Sequence, residues 1–521
     1  MKKTRVAIAT FFIAAVTLLF LDYTGTTRAY LAWCAKAQFV PALFAFDAAV
    51  VIGLVLLTLL AGRVYCSMIC PLGIFQDAVS RVAGKNRFAY RPPKKAFVIA
   101  RYSIFAIFTL SAILGVTAII ALLEPYGAYG RVATQIAGPI YKYGNNLLAW
   151  LAKRADSYAF FAVNVWVKGA GALLAAMLTF SVVGAFAWKS GRGYCNTVCP
   201  VGALLGVLAK FALVKPRINK EKCVACGLCA NNCKAGCIDA NRGEIDHTRC
   251  VSCFNCTDVC PGKAAIYAPR PLTATTQSTG MKNESLFEGD LARRNLILGA
   301  AAFLLGLVFR STAARAAGTY QFDGGVAPLK DKIAPNRKNP IIPPGADSVE
   351  NFRKLCIGCQ LCVSACPNHV LLPSGKMSEL MQPYRSYERG YCRPECVKCT
   401  EVCPTGALKP ITVEEKAITQ FGGSVWNKDL CVVNVDKAPC DLCARKCPTT
   451  AIKMTPLDAN DEASLKIPVI DADRCIGCGA CEHLCPARPL SAIHVDGITE
   501  VRRIKPPPLP LYEGERPSRV G

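Results

Sequence analysis

The spacing of the cysteines constrains this chain more than any other feature. Its 521 residues include 30 cysteines, most of them in runs with two or three residues between neighbours. A disulfide framework staples small secreted domains, and cysteines this close do not easily cross-link to each other. The runs follow the bacterial ferredoxin spacing CxxCxxCxxxCP, in which three cysteines of one motif and the fourth of a partner motif hold each cluster. Six such motifs or variants occur, and they predict about six 4Fe-4S clusters.

Two of the motifs form a compact module at residues 216–270. Their cysteines, the predicted cluster ligands, are Cys223, Cys226, Cys229, Cys233, Cys250, Cys253, Cys256 and Cys260. The expected sharing joins Cys260 to the first three cysteines of the first motif, and Cys233 to the first three of the second. Lys234 stands where the motif usually has proline, and Cys237 is an extra thiol, so the identity of this fourth ligand is open.

The last part of the chain carries four more motifs. Their cysteines are Cys356, Cys359, Cys362, Cys366, Cys392, Cys396, Cys399, Cys403, Cys431, Cys440, Cys443, Cys447, Cys475, Cys478, Cys481 and Cys485. We expect the first motif to share ligands with the fourth and the second with the third; a sequential pairing is the alternative. Zinc, the alternative for CxxC pairs, leaves the third cysteine and the cysteine–proline ending unexplained.

Four segments are apolar over the ~20 residues that a helix needs to cross a bilayer. They are residues 6–21, 39–60, 102–123 and 169–188. Lysines and arginines gather before the first segment, between the second and third, and after the fourth. By the positive-inside rule, both ends of this four-helix unit and its central loop face the cytoplasm, and residues 124–158 lie outside.

A repeat indicates how this membrane unit is built. Residues 62–73, GRVYCSMICPLG, recur as GRGYCNTVCPVG at 191–202, each after an apolar segment that runs inward. The repeat predicts two helix hairpins related by duplication, each ending in a CxxxCP element at the cytoplasmic surface. The repeat cysteines are Cys66, Cys70, Cys195 and Cys199. They are candidates for an additional metal or cluster site or for redox-active dithiols, with a structural role as the alternative.

The segment at 271–317 is a polar linker that ends in a distinctive pattern. Arg293 and Arg294 precede an apolar run to Phe309, and Ala314-Arg315-Ala316 follows. Paired arginines, a short apolar region and a small-x-small site are typical of a twin-arginine export signal. The alternatives are a fifth membrane helix, which likewise leads the chain outward, and a buried helix that leaves the remainder cytoplasmic.

Several classes of function lack support in the sequence. The only histidines are His247, His369, His483 and His494. None lies in an apolar segment, so we expect no haem b in the membrane. No nucleotide or flavin motif is recognised. The formal charge of +25 is offset in part by clusters of roughly −2 each, and no nucleic-acid reader motif is present, so no nucleic-acid partner is expected.

Quinol oxidation without haem would need a proton acceptor near the membrane. Asp47 and Lys168 are both predicted to lie ~12 Å below the outer surface, as a pair lining a quinol pocket. A structural ion pair or a snorkelling lysine is the alternative. Glu124, at the outer end of the third apolar segment, is a further candidate acceptor.

The predicted fold is multi-domain. Residues 1–215 form an α-helical membrane domain of four helices in a duplicated hairpin, and 216–270 form an α+β bacterial-ferredoxin-like domain with two 4Fe-4S clusters. After the linker at 271–317, residues 318–521 form a larger α+β polyferredoxin domain with four clusters, expected in the periplasm.

These features resemble a known pair of proteins. The four helices, the duplicated CxxxCP and the cytoplasmic two-cluster ferredoxin are similar to the NapH-type membrane subunit of periplasmic nitrate-reduction systems, and NosR, CcoG and MauN share parts of the pattern. The four distal motifs, with the long spacing from Cys431 to Cys440, resemble the companion NapG-type subunit and MauM. The resemblance implies a natural fusion of the two in the bacterial inner membrane.

The resemblance also implies a function and partners. It implies transfer of electrons from the quinol pool to a periplasmic cytochrome or reductase, as a membrane-bound quinol dehydrogenase module of anaerobic respiration. The alternative is an accessory redox or maturation factor for a periplasmic metalloenzyme, with the CxxxCP elements as working dithiols. A third hypothesis is a scaffold whose clusters are only structural.

Overall fold

The computed structural model describes residues 1–22, 25–84, 95–269, 331–458, 461 and 464–504. The chain divides into two compact units. Unit 1 comprises Met1–Tyr320 together with Cys356–Ser364 and Pro373–Gln382, and unit 2 comprises Gln321–Leu355, Ala365–Leu372 and Pro383–Gly521. The predicted linker and twin-arginine segment at 271–317 lie outside the described residues.

Unit 1 begins with a helical part. Its helices are α1 (Lys2–Leu21), α2 (Arg28–Lys36), α3 (Phe39–Phe44), α4 (Ala48–Ala61), α5 (Val64–Met68), α6 (Pro71–Val82), α7 (Lys95–Leu114), α8 (Thr117–Leu123), α9 (Pro125–Val132), α10 (Gly138–Arg154), α11 (Ala170–Ser190), α12 (Gly193–Thr197) and α13 (Pro200–Lys210). Among the described residues, α1, α7 and α11 are long and apolar enough to cross a membrane. Each presents exposed large apolar side chains, such as Leu18, Ile113 and Leu178, which suit contact with lipid.

Two of the four predicted spans are not continuous helices. The second, predicted over 39–60, is interrupted between α3 and α4, where Phe46 has a φ of +54°. The third, predicted over 102–123, begins earlier as α7 and breaks at Gly115, whose φ of +72° ends α7 before α8 starts. Hydropathy alone did not reveal these breaks, because one acidic residue, Asp47, or one glycine, Gly115, leaves the mean hydropathy of each segment high.

The two copies of the repeat fold alike. In each, a five-residue helix, α5 or α12, is followed by a longer helix that starts at the proline of CxxxCP, α6 or α13. Proline suits the first turn of a helix because its missing N–H has no partner there in any case. Each repeat cysteine at the second CxxxCP position therefore sits at a helix N-terminus.

The module that follows is a small α+β fold. Strands β1 (Val214–Ile218) and β4 (Ala265–Pro269) pair antiparallel, with Pro216 opposite Tyr267. The hairpin of β2 (Ile238–Asp239) and β3 (Glu244–Ile245) lies between the two cysteine motifs. Short helices α14 (Leu228–Asn231) and α15 (Asn255–Val259) carry cysteines of each motif, and cysteines together with small apolar side chains form the core.

The distal elements repeat this plan. They are α16 (Val349–Leu355), α17 (Leu361–Ala365), β5 (Leu371–Pro373), β6 (Pro383–Arg385), α18 (Lys398–Glu401), α19 (Val413–Ala417), β7 (Thr419–Trp426), α20 (Val432–Val435), α21 (Leu442–Arg445), β8 (Ile452–Pro456), β9 (Lys466–Ile470), α22 (Ala480–Leu484) and β10 (Ile493–Arg503), with 3₁₀ turns at Met377–Glu379 and Lys428–Leu430. Strand β7 pairs antiparallel with β10 and β8 pairs antiparallel with β9, and β5 pairs with β6. Ferredoxin-type folds thus recur along the chain, as the multi-domain prediction requires.

Candidate iron–sulfur sites

The first cage lies in the ferredoxin module of unit 1. A concave space of about 450 Å³ is lined by Cys223, Cys226, Cys229 and Cys260. Gly227, with a φ of +71°, lets the chain turn between the second and third of these cysteines. The backbone N–H of Ala265 donates to Cys260 Sγ at 3.5 Å. These are the four cysteines that the ferredoxin spacing assigns to one cluster.

The second cage lies beside the first in the same module. A space of about 330 Å³ is lined by Cys233, Cys237, Cys250, Cys253 and Cys256. The hairpin of β2 and β3 connects the two motifs, and this brings Cys233 back to the triplet that begins at Cys250. The exchange of fourth ligands expected between the two motifs therefore matches the geometry.

Two thiols, Cys233 and Cys237, compete for the place of the fourth ligand in the second cage. Their sulfurs are 3.5 Å apart. The hydrogen bond from Cys237 lowers the pKa of Cys233 to about 7, whereas the same contact and burial raise the pKa of Cys237. Since the thiolate is the form that binds metal, Cys233 is the better ligand and Cys237 its hydrogen-bond donor.

The distal motifs pair in sequential order, which corrects our expectation that the first pairs with the fourth. Cys399 interacts electrostatically with Cys392, Cys396 and Cys366, so the fourth cysteine of the first motif belongs with the second motif. Cys443 interacts likewise with cysteines of its own motif and with Cys485. The remaining set is Cys475, Cys478, Cys481 and Cys447.

The reason for this pairing is the short hairpin between each two motifs. Strands β8 and β9 follow Cys447 and lead to Cys475, so their antiparallel pairing returns the chain to its starting point. Strands β5 and β6 stand in the same relation to Cys366 and Cys392. Closing such local loops costs less conformational entropy than joining the outer motifs would.

Hydrogen-bond donors point at several cage sulfurs of unit 2. Ser424 Oγ lies 3.4 Å from the sulfurs of both Cys475 and Cys481. The backbone N–H of Ala451 donates to Cys447 Sγ at 3.3 Å, and that of Leu408 donates to Cys403 Sγ at 3.4 Å. Such donors stabilise thiolate charge and tune the reduction potential of a bound cluster.

The first distal triplet, Cys356, Cys359 and Cys362, belongs to unit 1. There its segment packs against the helical part. Gln135, in a π-helical turn after α9, donates to Gln360 Oε1 at 2.7 Å, and Lys168 Nζ donates to the carbonyl of Val363 at 2.9 Å.

The four CxxxCP cysteines converge in the interior of unit 1. All four are buried, and Cys66, Cys70, Cys195 and Cys199 lie close enough to interact electrostatically with one another. Arg63 and Arg192, the second residue of each repeat copy, are fully buried beside them. In the sequence both arginines belong to the repeat, and Arg192 is one of the basic residues after the fourth apolar segment. Neither was predicted to lie at the cysteines, although an arginine repeated at the end of an apolar segment was the available signal.

The predicted pair of Asp47 and Lys168 has different partners in the structure. Asp47 accepts a hydrogen bond from the backbone N–H of Val50 at 3.2 Å and caps α4. Lys168 reaches Val363 instead, as described above. The geometry therefore gives no support to a shared quinol pocket formed by these two side chains.

Glu124 is placed differently from the other two candidates. It is fully buried and caps α9, where its carboxylate accepts the backbone N–H groups of Tyr126, at 2.8 Å, and Gly127. Burial raises its pKa to about 7, although these hydrogen bonds and the charge of Arg131 act in the opposite direction. A buried carboxyl that titrates near neutral pH is suited to accept and release protons.

Two family models match the chain. A model of the 4Fe-4S binding domain matches residues 46–88 and 170–221, which contain the two repeat copies. A model of the 4Fe-4S dicluster domain matches residues 355–416 and 439–488. The first of these segments contains the first two distal motifs, and the second contains the last two apart from Cys431, which agrees with the sequential pairing.

Curated ferredoxin-type proteins resemble part of the chain. The methylamine utilization ferredoxin-type protein MauM of Methylobacillus flagellatus is 31% identical over 166 residues, which are 31% of this chain and 70% of MauM. The MauM of Paracoccus denitrificans is 32% identical over 33% of this chain and 79% of its own length. The ferredoxin-type protein NapG of Escherichia coli is 31% identical over 33% of this chain and 72% of NapG. No solved structure matches.

Proposed function

Because the chain belongs to the family of ferredoxin-type proteins that includes MauM and NapG, we propose that it is a membrane-bound iron–sulfur protein that passes electrons from quinol to a periplasmic reductase or cytochrome. Iron–sulfur electron transfer follows from the family and from both 4Fe-4S domain models. The proposal adds three more specific claims: a quinol donor, a periplasmic acceptor and a fusion with a NapH-type membrane part. The following observations support them.

The observation that carries the proposal is the convergence of the motif cysteines into cages. Cys260 joins the triplet of the first motif and Cys233 that of the second, as ligand exchange between ferredoxin motifs requires. A bound 4Fe-4S cluster supplies one-electron transfer at each cage. The chain holds the cages rigidly with hairpins and directs backbone N–H donors at their sulfurs.

Cysteine motifs lie at both ends of the helical part of unit 1. At one end the ferredoxin module contacts the helices by two hydrogen bonds. Lys2 Nζ donates to the carboxylate of Asp258 at 2.6 Å, and the hydroxyl of Tyr267 donates to the carbonyl of Ala61 at 2.7 Å. At the other end the segment Cys356–Ser364 contacts Gln135 and Lys168. With basic residues concentrated near the module, the positive-inside rule favours a cytoplasmic module and a periplasmic distal domain.

Glu124 is our candidate acceptor for a quinol proton. Its place at the N-terminus of α9, its burial and its pKa of about 7 suit a general base at neutral pH. Arg131 is buried nearby and donates to the carbonyl of Ala121, so it holds the turn that presents Glu124.

The maturation role is less well supported by the geometry. Dithiol exchange with a partner requires a thiolate that the partner can reach. The thiols of Cys66, Cys70, Cys195 and Cys199 belong to residues that are at most 5% exposed. A partner protein would therefore have to open the helical part to reach them.

The quinol step is tested with the full chain, purified anaerobically and placed in lipid nanodiscs with a reduced quinol analogue. We expect the clusters to bleach on reduction, at a rate that rises with pH through about 7 because the carboxylate of Glu124 is the base. Glu124→Gln should slow reduction by about 10²-fold and remove this pH dependence. The matched control is Asp156→Asn, an exposed acidic residue beyond α10.

Two results would contradict different parts of the proposal. Full-rate reduction of Glu124→Gln would remove Glu124 as the base while leaving a quinol donor in place. Clusters that dithionite reduces but quinol never does would contradict the quinol donor and leave only the iron–sulfur carrier.

A further inference from the structure

The repeat cysteines are held by an arrangement that the two repeat copies build for each other. Arg192 Nη1 donates to the carbonyl of Cys66 at 2.7 Å, and Arg63 Nη2 donates to the carbonyl of Cys195 at 3.3 Å. Each arginine thus fixes the cysteine turn of the opposite copy. The result is one closed site made of two distant stretches of chain.

Hydrogen-bond donors surround the sulfurs of this site. Gln76 Nε2 lies 3.1 Å from Cys195 Sγ, and the backbone N–H of Gly202 lies 3.4 Å from Cys199 Sγ. The guanidinium groups add longer contacts of 3.9 Å, from Arg63 to Cys66 Sγ and from Arg192 to Cys195 Sγ. A set of sulfurs that faces donors on several sides is prepared for negative charge.

Glycine is required at Gly73 and Gly202. A Cβ at Gly73 would collide with the carbonyl oxygen of Cys66, and one at Gly202 would collide with that of Cys195. The helix after each CxxxCP element therefore approaches its own cysteine turn as closely as a backbone can. Both copies therefore have glycine, which carries no side chain, at this position.

The buried charge around the site is not balanced by the side chains described. Asp77 is the carboxylate shared by Arg5, at 2.8 Å, Arg192, at 2.7 Å, and Lys234, at 3.5 Å. The acceptors of Arg63 are neutral, namely Asn196 Oδ1 and the carbonyls of Thr248 and Cys195. Uncompensated buried cations are costly, and the excess positive charge calls for an anion at the thiols.

Four thiolates around a cubane cluster leave a charge of roughly −2, which matches this demand. A pair of disulfides would be neutral and would leave Arg63 without an anion. One zinc ion held by the four thiolates is the alternative, and it would bring neither iron nor sulfide to the site.

We propose that Cys66, Cys70, Cys195 and Cys199 hold a seventh 4Fe-4S cluster, which the ferredoxin spacing does not encode. The site adjoins the second cage of the module, because Arg63 contacts Thr248 and the backbone N–H of Arg192 donates to the carbonyl of Lys234 at 2.9 Å. On its other side, Tyr65 and Tyr194 interact electrostatically with both the thiols and Glu124.

This position lies between the two ends of the helical part. The cluster would take up one electron from a neighbouring centre and pass one on, with no bond made or broken. This role, unlike the site itself, rests on the proposed electron-transfer function.

The experiment is an iron and acid-labile sulfide count on the anaerobically purified full chain, with Mössbauer spectra. We expect about 28 iron atoms in the wild type and about 24 in the double variant Cys70→Ala/Cys199→Ala, since each cluster holds four. The spectrum of the variant should lose one cluster component. Cys34→Ala, which removes a buried thiol of α2, is the matched control and should keep the wild-type count.

The wild-type count decides the matter even if the double variant fails to assemble. A count near 24 in the wild type, or one equivalent of zinc that the double variant loses, would overturn the seventh cluster. An iron content near zero would instead contradict the proposed function as a whole, so the two failures are distinguishable.

Discussion

The ferredoxin module and the CxxxCP site collect cysteines in opposite ways. In the module, the ligands of one cage lie within a few turns and one hairpin of each other, and several remain partly exposed. In the CxxxCP site, the cysteines come from two repeat copies that are distant in the chain, at 62–73 and 191–202, and all are buried. Local chain geometry makes the first kind of cage, whereas tertiary packing makes the second.

The difference extends to charge. The two cages of the module lie among small apolar residues, whereas the CxxxCP site depends on buried arginines and on Asp77. We infer that a local cage tolerates changes outside its own cysteines, and that the repeat site responds to changes in the ion network around it.

The largest effect is expected from removing whole local cages in the distal part. Cys443 and Cys485 belong to one cage, so the double variant Cys443→Ala/Cys485→Ala should lose about four iron atoms, no more than either single variant. Cys366→Ala/Cys485→Ala removes ligands from two cages and should lose about eight. Iron and sulfide analysis of the full chain measures both.

The matched pair distinguishes the two pairing schemes. If the outer motifs shared their ligands, as the spacing alone led us to expect, Cys443→Ala/Cys485→Ala would lose about eight iron atoms instead. Such a count would also contradict our inference that the hairpin between two motifs determines which motifs share a cage.

A smaller but distinct effect is expected from Asp77→Asn. This change leaves Arg5, Arg192 and Lys234 buried without their shared carboxylate, and removing one partner of such a network costs about 3–5 kcal/mol. Thermal unfolding of the full chain in detergent should therefore begin at a lower temperature, with early loss of iron from the repeat site.

The control for this change is Asp258→Asn. It breaks an ion pair with Lys2 at the surface of the module, and we expect no measurable change in the unfolding temperature. Equal stability of both variants would mean that the buried ion network does not hold the repeat copies together.

The sequence predicted the local features because they depend on spacing alone. The motif cysteines between Cys223 and Cys260 line two cages, as the ferredoxin spacing predicts. Spacing did not reveal that Cys366 belongs with Cys399, since this depends on strands β5 and β6, which are three residues long and leave little pattern. It also did not reveal the role of Arg63, because its partners Asn196 and Thr248 are distant in the chain.

Hydropathy located the helical part but not its breaks. The predicted spans 6–21 and 169–188 correspond closely to α1 and α11. The break at Phe46 lies beside a single acidic residue, Asp47, within an apolar stretch, so the mean hydropathy of the segment does not mark it. The cap that Asp47 provides for α4 explains this acidic residue without a quinol, and the cap depends on the break at Phe46, which the sequence pattern does not reveal.

The smallest effect is expected from a single hydrogen-bond donor at a local cage. Ser424 Oγ lies 3.4 Å from Cys475 and Cys481, and losing a hydrogen bond to a ligand sulfur costs about 0.5–1.5 kcal/mol. Ser424→Ala should therefore lower the reduction potential of that cluster by roughly 20–60 mV without loss of iron, as measured by redox titration. Ser464→Ala, whose hydroxyl contacts Asp458 instead, is the control. Loss of iron from Ser424→Ala would show that even a local cage depends on contacts beyond its own cysteines.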